Sequence, residues 1–308
     1  MDYIKNKDSI SVLLSSYNGE KYIKALIESI LNQICDCNIQ LIIRDDGSDD
    51  YTIGIITKLM EKYSNIILYR GRNIGVNASF FELIKMAPKS DYYAIADQDD
   101  IWLDGKINTA IAILKSNPNL MLYGSASTQV DADLNLIKKE RIVSRDITLY
   151  NTMIQNFIGG HTQVFTHKFI EIIRQKYDIS KIYAYDAYFT NVAMIYDSLY
   201  YDKNSYVYYR LHSDNTVGTG TDFFDWIRKN IKRIESGQGH LYSVQFDYIS
   251  REYKELMNLD VQKEITRFQK ARNSFFKRFI YLFEMKFYRQ SIIETVVFKM
   301  LYLFGGWK

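Results

Sequence analysis

Ile10, Val12 and Leu14 alternate along Ser9–Ser15, the pattern of a half-buried strand. The run ends in Ser15-Ser16-Tyr17-Asn18-Gly19. Beyond it Tyr22, Ile23, Leu26, Ile27, Ile30 and Leu31 fall at helical spacing, with Asn18 as the expected cap. A second apolar run, Ile39–Arg44, leads into Asp45-Asp46-Gly47-Ser48-Asp49-Asp50. There Ser48 suits a cap, and Asp49 and Asp50 suit the positive end of a helix that runs to about Tyr63. Strand Ile66–Tyr69, helix Asn77–Met86, strand Tyr92–Ala96, helix Lys106–Lys115 and strand Met121–Ser125 follow, the second helix stopping at Asn117-Pro118. Strands alternating with helices of 10–15 residues predict βαβ units and an α/β fold with a mostly parallel sheet.

The second half is less regular. Gly159-Gly160-His161 precedes a short strand, Thr162–Phe165, and a helix from His167 to Tyr177. Ala184-Tyr185-Asp186-Ala187 opens another helix, and Tyr206–Leu211 reads as a strand ending at His212. From Asp222 onward only helices are expected. Gly218-Thr219-Gly220 therefore marks a boundary between a domain over 1–218 and a helical region over 219–308.

Composition narrows the class by exclusion. No window approaches the roughly 20 apolar residues that cross a bilayer, and Met1–Asp8 lacks the apolar core of a signal peptide. A cytoplasmic protein is expected. Cys35 and Cys37 match neither a zinc spacing nor a disulfide framework and read as incidental thiols in a reducing compartment.

The net charge of +3 hides an asymmetry: Lys263–Lys308 holds ten Lys+Arg and three Glu, or +7, which leaves −4 for the rest. That balance argues against a nucleic-acid partner for the main domain. In the tail, Phe275, Phe279, Ile280, Phe283 and Phe287 fall at helical spacing beside Lys277, Arg278, Lys286 and Arg289. Such a helix suits an anionic membrane surface, here the inner face of the cell membrane. The bland alternatives are packing on the main domain or a homo-oligomer contact.

Three polar turns, Ser16-Tyr17-Asn18, Asp45-Asp46-Gly47-Ser48 and Asp97-Gln98-Asp99-Asp100, each follow a strand. In a right-handed parallel sheet they emerge at one edge, where ligands bind. Three carboxylates within four residues repel one another and call for a compensating divalent cation held against phosphates. A glycine-rich dinucleotide turn, a phosphate-binding P-loop and a Gly-x-Ser-x-Gly elbow are all missing, which argues against the commonest other α/β enzymes. Arg70, Arg72 and Asn73 follow a strand at the same edge and could meet a diphosphate or sugar.

These motifs, in this order and spacing over residues 9–215, resemble the family-2 glycosyltransferases with the GT-A fold. Ser11-Val12-Leu13-Leu14-Ser15-Ser16-Tyr17-Asn18-Gly19 looks like the family's opening strand, and Ile43-Arg44-Asp45-Asp46-Gly47-Ser48 like its nucleobase turn. Asp97-Gln98-Asp99 looks like its Asp-x-Asp metal motif. The longer strings Asp97-Gln98-Asp99-Asp100-Ile101-Trp102 and Tyr209-Arg210-Leu211-His212-Ser213-Asp214-Asn215 are similar to the bacterial rhamnosyltransferases of capsule, O-antigen and cell-wall polysaccharide synthesis.

The resemblance implies inverting transfer of a sugar, L-rhamnose from dTDP-β-L-rhamnose, to a lipid-linked glycan. UDP-hexoses are the rival donors, and a non-catalytic nucleotide-sugar or glycan-binding protein is the rival of another class. The resemblance gives Ser16, Tyr17, Asn18, Asp46, Arg72, Asn73, Asp97 and Gln98 to the nucleotide sugar, Asp46 accepting the imide N–H of the base while Asp45 orients the turn. Asp99, Asp97 and His212 would hold Mg2+ or Mn2+. Asp186 would be the catalytic base, although Tyr185 stands where many relatives carry a first acid. Trp102, Gly160, His161 and Asp186 would border the acceptor and sugar. Neither His161 nor His167 shows a metal-ligand spacing.

Overall fold

A computed structural model of the protein describes residues 7–139, 143–212 and 238–307. Two compact units emerge: Met1–Arg141 with Ile158–Tyr177 and Ser198–His212, and Ile142–Phe157 with Asp178–Asp197 and Ser213–Lys308. The boundary expected near 218 lies outside the described residues. The loss of strand pattern does not show what this division shows, that two earlier segments group with the C-terminal helices.

The first unit carries every described strand. β1 (Asp8–Ser16), β2 (Cys37–Asp45), β3 (Ile66–Arg70) and β4 (Tyr92–Asp97) are parallel, in the order β3-β2-β1-β4. β8 (Val164–Thr166) then pairs antiparallel with both β4 and β6 (Leu122–Val130). β9 (Leu199–Arg210) runs parallel to β6, and β5 (Ile101–Trp102) closes the edge antiparallel to β9. β7 (Leu136–Lys139) pairs with β6. The short β5 and β7 leave no periodic signal in the sequence, and β9 begins seven residues before its expected start at Tyr206.

β1 was expected to be half-buried, yet Ile10, Ser11, Val12, Leu13 and Leu14 are all fully buried. A parallel strand flanked on both sides is covered on both faces. Its serines are admitted because they find partners: Ser11 Oγ lies 2.7 Å from Ser90 Oγ, and Ser15 Oγ donates to Ser79 Oγ at 2.6 Å. Helices α1 (Ile23–Leu31), α2 (Thr52–Lys62), α3 (Val76–Met86) and α4 (Lys106–Ser116) bury their apolar stripes on this sheet.

Neither expected cap is used. α1 begins after Tyr22 and α2 after Tyr51, each without a side-chain cap bond from that residue. The Asp50 carboxylate instead accepts the Thr52 N–H at 2.9 Å. Asn18, at φ 48°, and Ser48 are spent on tying loops together, as described below. Cys35, in the loop after α1, and Cys37, the first residue of β2, are joined in a disulfide, which corrects the expectation of free thiols.

At the far end of β1, Asp91 clamps the strand to the start of β4. Its Oδ2 accepts the Ser9 N–H at 2.8 Å and the Ser9 hydroxyl at 2.7 Å. Those bonds favour the ionised acid and hold its pKa below the ordinary value. The stabilisation is therefore present above about pH 4, the unfolded pKa, and fades as pH falls through the lower folded value. Asp91→Asn should lower the urea midpoint at pH 7, with the gap to wild type closing at pH 3. A gap independent of pH would contradict the ionic origin.

The second unit comprises α5 (Leu149–Thr152), α7 (Tyr185–Ile195), α8 (Gln238–Glu252), α9 (Leu259–Ala271), α10 (Phe275–Leu282) and α11 (Ile292–Leu303). α6 (His167–Gln175) belongs to the first unit. Phe268 lies at the centre of an aromatic core, 4.5 Å from the Tyr302 ring, 4.9 Å from Phe287 and 5.0 Å from Phe246. Polar side chains recruit the inserted segments. Gln155 Nε2 donates to Glu294 at 3.0 Å, and Gln290 Nε2 donates to Asn151 at 2.8 Å.

Candidate active site

Register brings the three polar turns together. Ser16 pairs with Asp45 and Ser15 with Asp97, so all three parallel strands end at the same edge. In the second turn the fully buried Asp45 accepts N–H bonds from Gly47 and Ser48 at 3.2 and 2.9 Å, and a bond from the Ser16 hydroxyl at 3.1 Å. That is the orienting role expected of it. Gly47, at φ 86°, takes a backbone conformation that a side chain would strain, and a Cβ there would also lie 3.0 Å from the Asn73 nitrogen.

The first two turns are laced together. Asn18 N–H donates to Ser48 Oγ at 2.9 Å and Asp49 N–H to Asn18 Oδ1 at 3.0 Å. Gly19 N–H donates to Thr52 Oγ1 at 2.7 Å, and Asp46 N–H to the Ser16 carbonyl at 2.7 Å. The third turn is tied to the first by Gln98, whose side-chain oxygen accepts the Tyr17 N–H and whose Nε2 donates to the Tyr17 carbonyl, both at 2.9 Å. Ser16, Asn18 and Gln98, assigned to the nucleotide by resemblance, thus spend these groups on holding the edge in shape. Tyr17 is 45% exposed. Arg72 and Asn73 are also exposed, and the Arg72 guanidinium has no ion-pair partner among the described residues.

Asp46 is buried and crowded. It pairs with Arg44, accepts the Ile74 N–H at 3.0 and 3.1 Å, and accepts the Gly75 N–H at 2.9 Å. Arg44 also donates to Ser79 Oγ at 3.1 Å and to the Arg72 carbonyl at 3.2 Å. The carboxylate therefore organises the turn after β3.

The acidic turn divides its carboxylates. Asp99 Oδ2 lies 2.9 Å from His212 Nε2. Asp97 and Asp100 face His161 Nδ1 instead, at 3.5 and 3.9 Å. One potential ligand atom from each of Asp97, Asp100 and His161 lies within 4.8 Å of the others. Asp100 is fully buried; its Oδ1 accepts the Arg210 N–H at 3.1 Å, while its Oδ2 has no hydrogen bond among the described residues. Burial raises its pKa well above the usual range, against the opposing pull of His161, and burial followed by the charge of Asp97 raises that of Asp99.

Carboxylate oxygens with imidazole suit Mg2+ or Mn2+, and an orphaned buried carboxylate oxygen is the group a cation would satisfy. The donor set therefore fits a divalent ion. His161, for which no ligand spacing was expected, is the corrected member. Gly159-Gly160 and a 3-10 turn over Gly160–Thr162 deliver it across the sheet to acids more than sixty residues earlier.

Beneath the turn lies a fully buried lysine. Lys106 Nζ donates to the His161 carbonyl at 2.6 Å and sits 4.4 Å over the Trp102 ring. Burial lowers its pKa to about 7, opposed by Asp100 and Asp97. Trp102, which the sequence allows either beside the sugar or packed under the acidic turn, is only 3% exposed and packs beneath that turn. Arg210 ties the strand leading to His212 onto the same turn, its Nε donating to the Asp99 carbonyl at 2.8 Å.

In the second unit, Asp186 opens α7 as expected and is half-buried, its Oδ1 accepting the Ala187 N–H at 2.8 Å. Gln245 of α8 fixes the approach to that helix, its side-chain oxygen accepting the N–H groups of Tyr183 and Ala184 at 2.8 and 2.9 Å.

A parallel sheet with an acidic turn at its ligand edge, in an otherwise mixed sheet flanked by helices, defines a GT-A-type α/β transferase domain. Residues 11–179 match the model of glycosyl transferase family 2, and the chain belongs to that family. It is similar to the dTDP-rhamnosyl transferase RfbG of Shigella flexneri, 28% identical over 244 residues that cover 72% of this chain and 83% of RfbG. It is also similar to the UDP-Glc:alpha-D-GlcNAc-diphosphoundecaprenol beta-1,3-glucosyltransferase WfaP of Escherichia coli, 31% identical over 122 residues, 40% of this chain and 47% of WfaP. Among solved structures, S. aureus TarS 1–349 with UDP aligns at a TM-score of 0.60 and 17% identity, over 86% of this chain and 71% of that one. TarS with UDP-GlcNAc aligns at 0.56 and 16%, over 87% and 81%. At such identities the likeness shows the fold.

Proposed function

We propose that the protein transfers L-rhamnose from dTDP-β-L-rhamnose to a hydroxyl of a lipid-linked glycan, with inversion to an α-L-rhamnoside. The observation that carries the chemistry is the clustering of Asp97, Asp100 and His161 beside the Asp99–His212 pair at one sheet edge. The sugar rests on the similarity to RfbG across 72% of the chain.

The acceptor oxygen attacks the anomeric carbon as the bond from that carbon to the diphosphate oxygen breaks. The hydroxyl proton passes to the Asp186 carboxylate, and the bonding electrons leave with dTDP. Tyr17 offers its ring to the base, and Arg72 its guanidinium to the diphosphate. Asp46 is assigned the imide N–H of the base, beside the bonds it accepts from Ile74 and Gly75. Asp97 and Asp99, with His212 and the Asp100–His161 pair beside them, would hold a divalent ion, which when bound would supply Lewis-acid stabilisation of the departing diphosphate.

Among the described residues no helix is long and apolar enough to cross a membrane. The proposed place of action is the cytoplasmic face of the membrane that carries the acceptor lipid.

A second reading takes a UDP-hexose as donor, favoured by the similarity to WfaP. Nucleoside-diphosphate release from dTDP-rhamnose, UDP-glucose, UDP-galactose and UDP-GlcNAc, with Mn2+, with Mg2+ and with EDTA, separates the two. Release from dTDP-rhamnose alone, lost in EDTA, is expected. Preference for a UDP-sugar would overturn the donor, and silence across donors and acceptors would favour a binding protein.

A further inference from the structure

The second unit is apolar on two sides. α10 and α11 turn Tyr281, Phe298, Tyr302 and Leu303 inward, where Arg278 Nε also donates to the Leu303 carbonyl at 2.7 Å. Their other faces are apolar as well. Phe276, Phe279, Ile280 and Phe283 form an exposed stripe on α10 and just past its end, with Phe276 at 69% and Phe283 at 79% exposure. Ile292, Ile293, Val296 and Met300 do the same on α11. Phe275 and Phe304 bring the two helices together, their ring centroids 6.2 Å apart. An exposed apolar patch of this size is unusual for a surface that meets only water.

The charges of the tail select the patch's occupant. Of the three glutamates after residue 262, Glu264 and Glu294 are buried, and Glu284 is paired with Arg267. Lys263, Lys270, Lys277 and Lys286 are exposed. The tail thus shows the solvent phenylalanines, aliphatic side chains and unneutralised cations. A symmetric pairing of two copies through this face would set like charge against like. An anionic lipid surface complements both features, since aromatic and aliphatic side chains enter the interfacial region and lysines meet the headgroups.

We infer that the α10–α11 hairpin docks the protein on an anionic bilayer, with Phe276 and Phe283 as its principal anchors. The inference does not depend on the identity of the donor sugar.

The full-length protein is tested by co-sedimentation with vesicles of phosphatidylglycerol and phosphatidylcholine, and with vesicles of phosphatidylcholine alone. Binding to the first, weaker binding to the second, and weakening by salt are expected. Phe276→Ser/Phe283→Ser should lower the partition coefficient about a hundredfold, since each buried phenylalanine side chain contributes roughly a factor of ten or more. Both side chains point to solvent, so the variant should keep its circular dichroism spectrum and its donor turnover in solution. Failure of wild type to bind anionic vesicles, or equal binding by the folded variant, would overturn the inference. So would a concentration-dependent dimer that the double substitution abolishes, which would assign the face to a second copy. Vesicle binding by a wild type that turns over no donor would count against the glycosyl-transfer reading and leave the docking face standing.

Discussion

Asp186→Asn is expected to lower kcat for sugar transfer by about 10²–10⁴-fold while leaving the donor dissociation constant unchanged. Asparagine keeps the shape of the side chain and can still accept the Ala187 N–H, but it cannot take the acceptor proton. The effect should fall on the chemical step and spare assembly of the donor complex. Donor titration by calorimetry and single-turnover transfer separate the two quantities. Full turnover in the variant would remove Asp186 from the base role. An equal loss of donor affinity would make it a binding residue.

The largest expected effect on stability lies at Arg44. Its guanidinium and the Asp46 carboxylate are both buried, and together they hold the end of β2 to the Arg72–Gly75 segment. Removing one partner of a buried ion pair strands the other charge, at a cost on the order of 3–5 kcal/mol. Arg44→Met should therefore shift the urea midpoint strongly downward. Arg44→Met/Asp46→Asn should recover a large part of the loss, because the amide oxygen can still accept the Ile74 or Gly75 N–H without a stranded charge. A single variant within about 0.5 kcal/mol of wild type, the range of a neutral surface change, would show that water reaches the pair.

What could be read from the sequence follows physical range. The parallel half was legible because each strand, turn and helix is a local pattern: Ile10-Val12-Leu14, the Asp45–Asp50 turn and the Asp97–Asp100 turn announce themselves within a few residues. Their meeting at one edge followed from the handedness of parallel connections. The short strand near Thr162–Phe165 was legible, but its antiparallel insertion between β4 and β6 was not, since a local pattern does not say which strands it pairs. His161 was expected beside the acceptor and sugar, but not as a partner of the acids, because its approach to Asp97 and Asp100 depends on that insertion. Lys106 read as the first residue of a helix, and nothing local said that its ammonium would be buried over Trp102. For Arg44 and Asp46 a signal was present, opposite charges two residues apart at a strand end, which project to one side.

The side chain of Gln98 has a consequence for anyone altering donor choice in this protein. It is the middle residue of the Asp-x-Asp segment, yet it reads backbone, offering one acceptor and one donor to Tyr17. A glutamate could answer only the N–H and would add a fourth negative charge. An alanine would answer neither. The segments 16–19 and 97–99 are therefore joined by an amide and act as one unit. Libraries that randomise one while keeping the other will sample mostly broken joints, and productive new specificities should be sought among paired replacements at 17, 19 and 98.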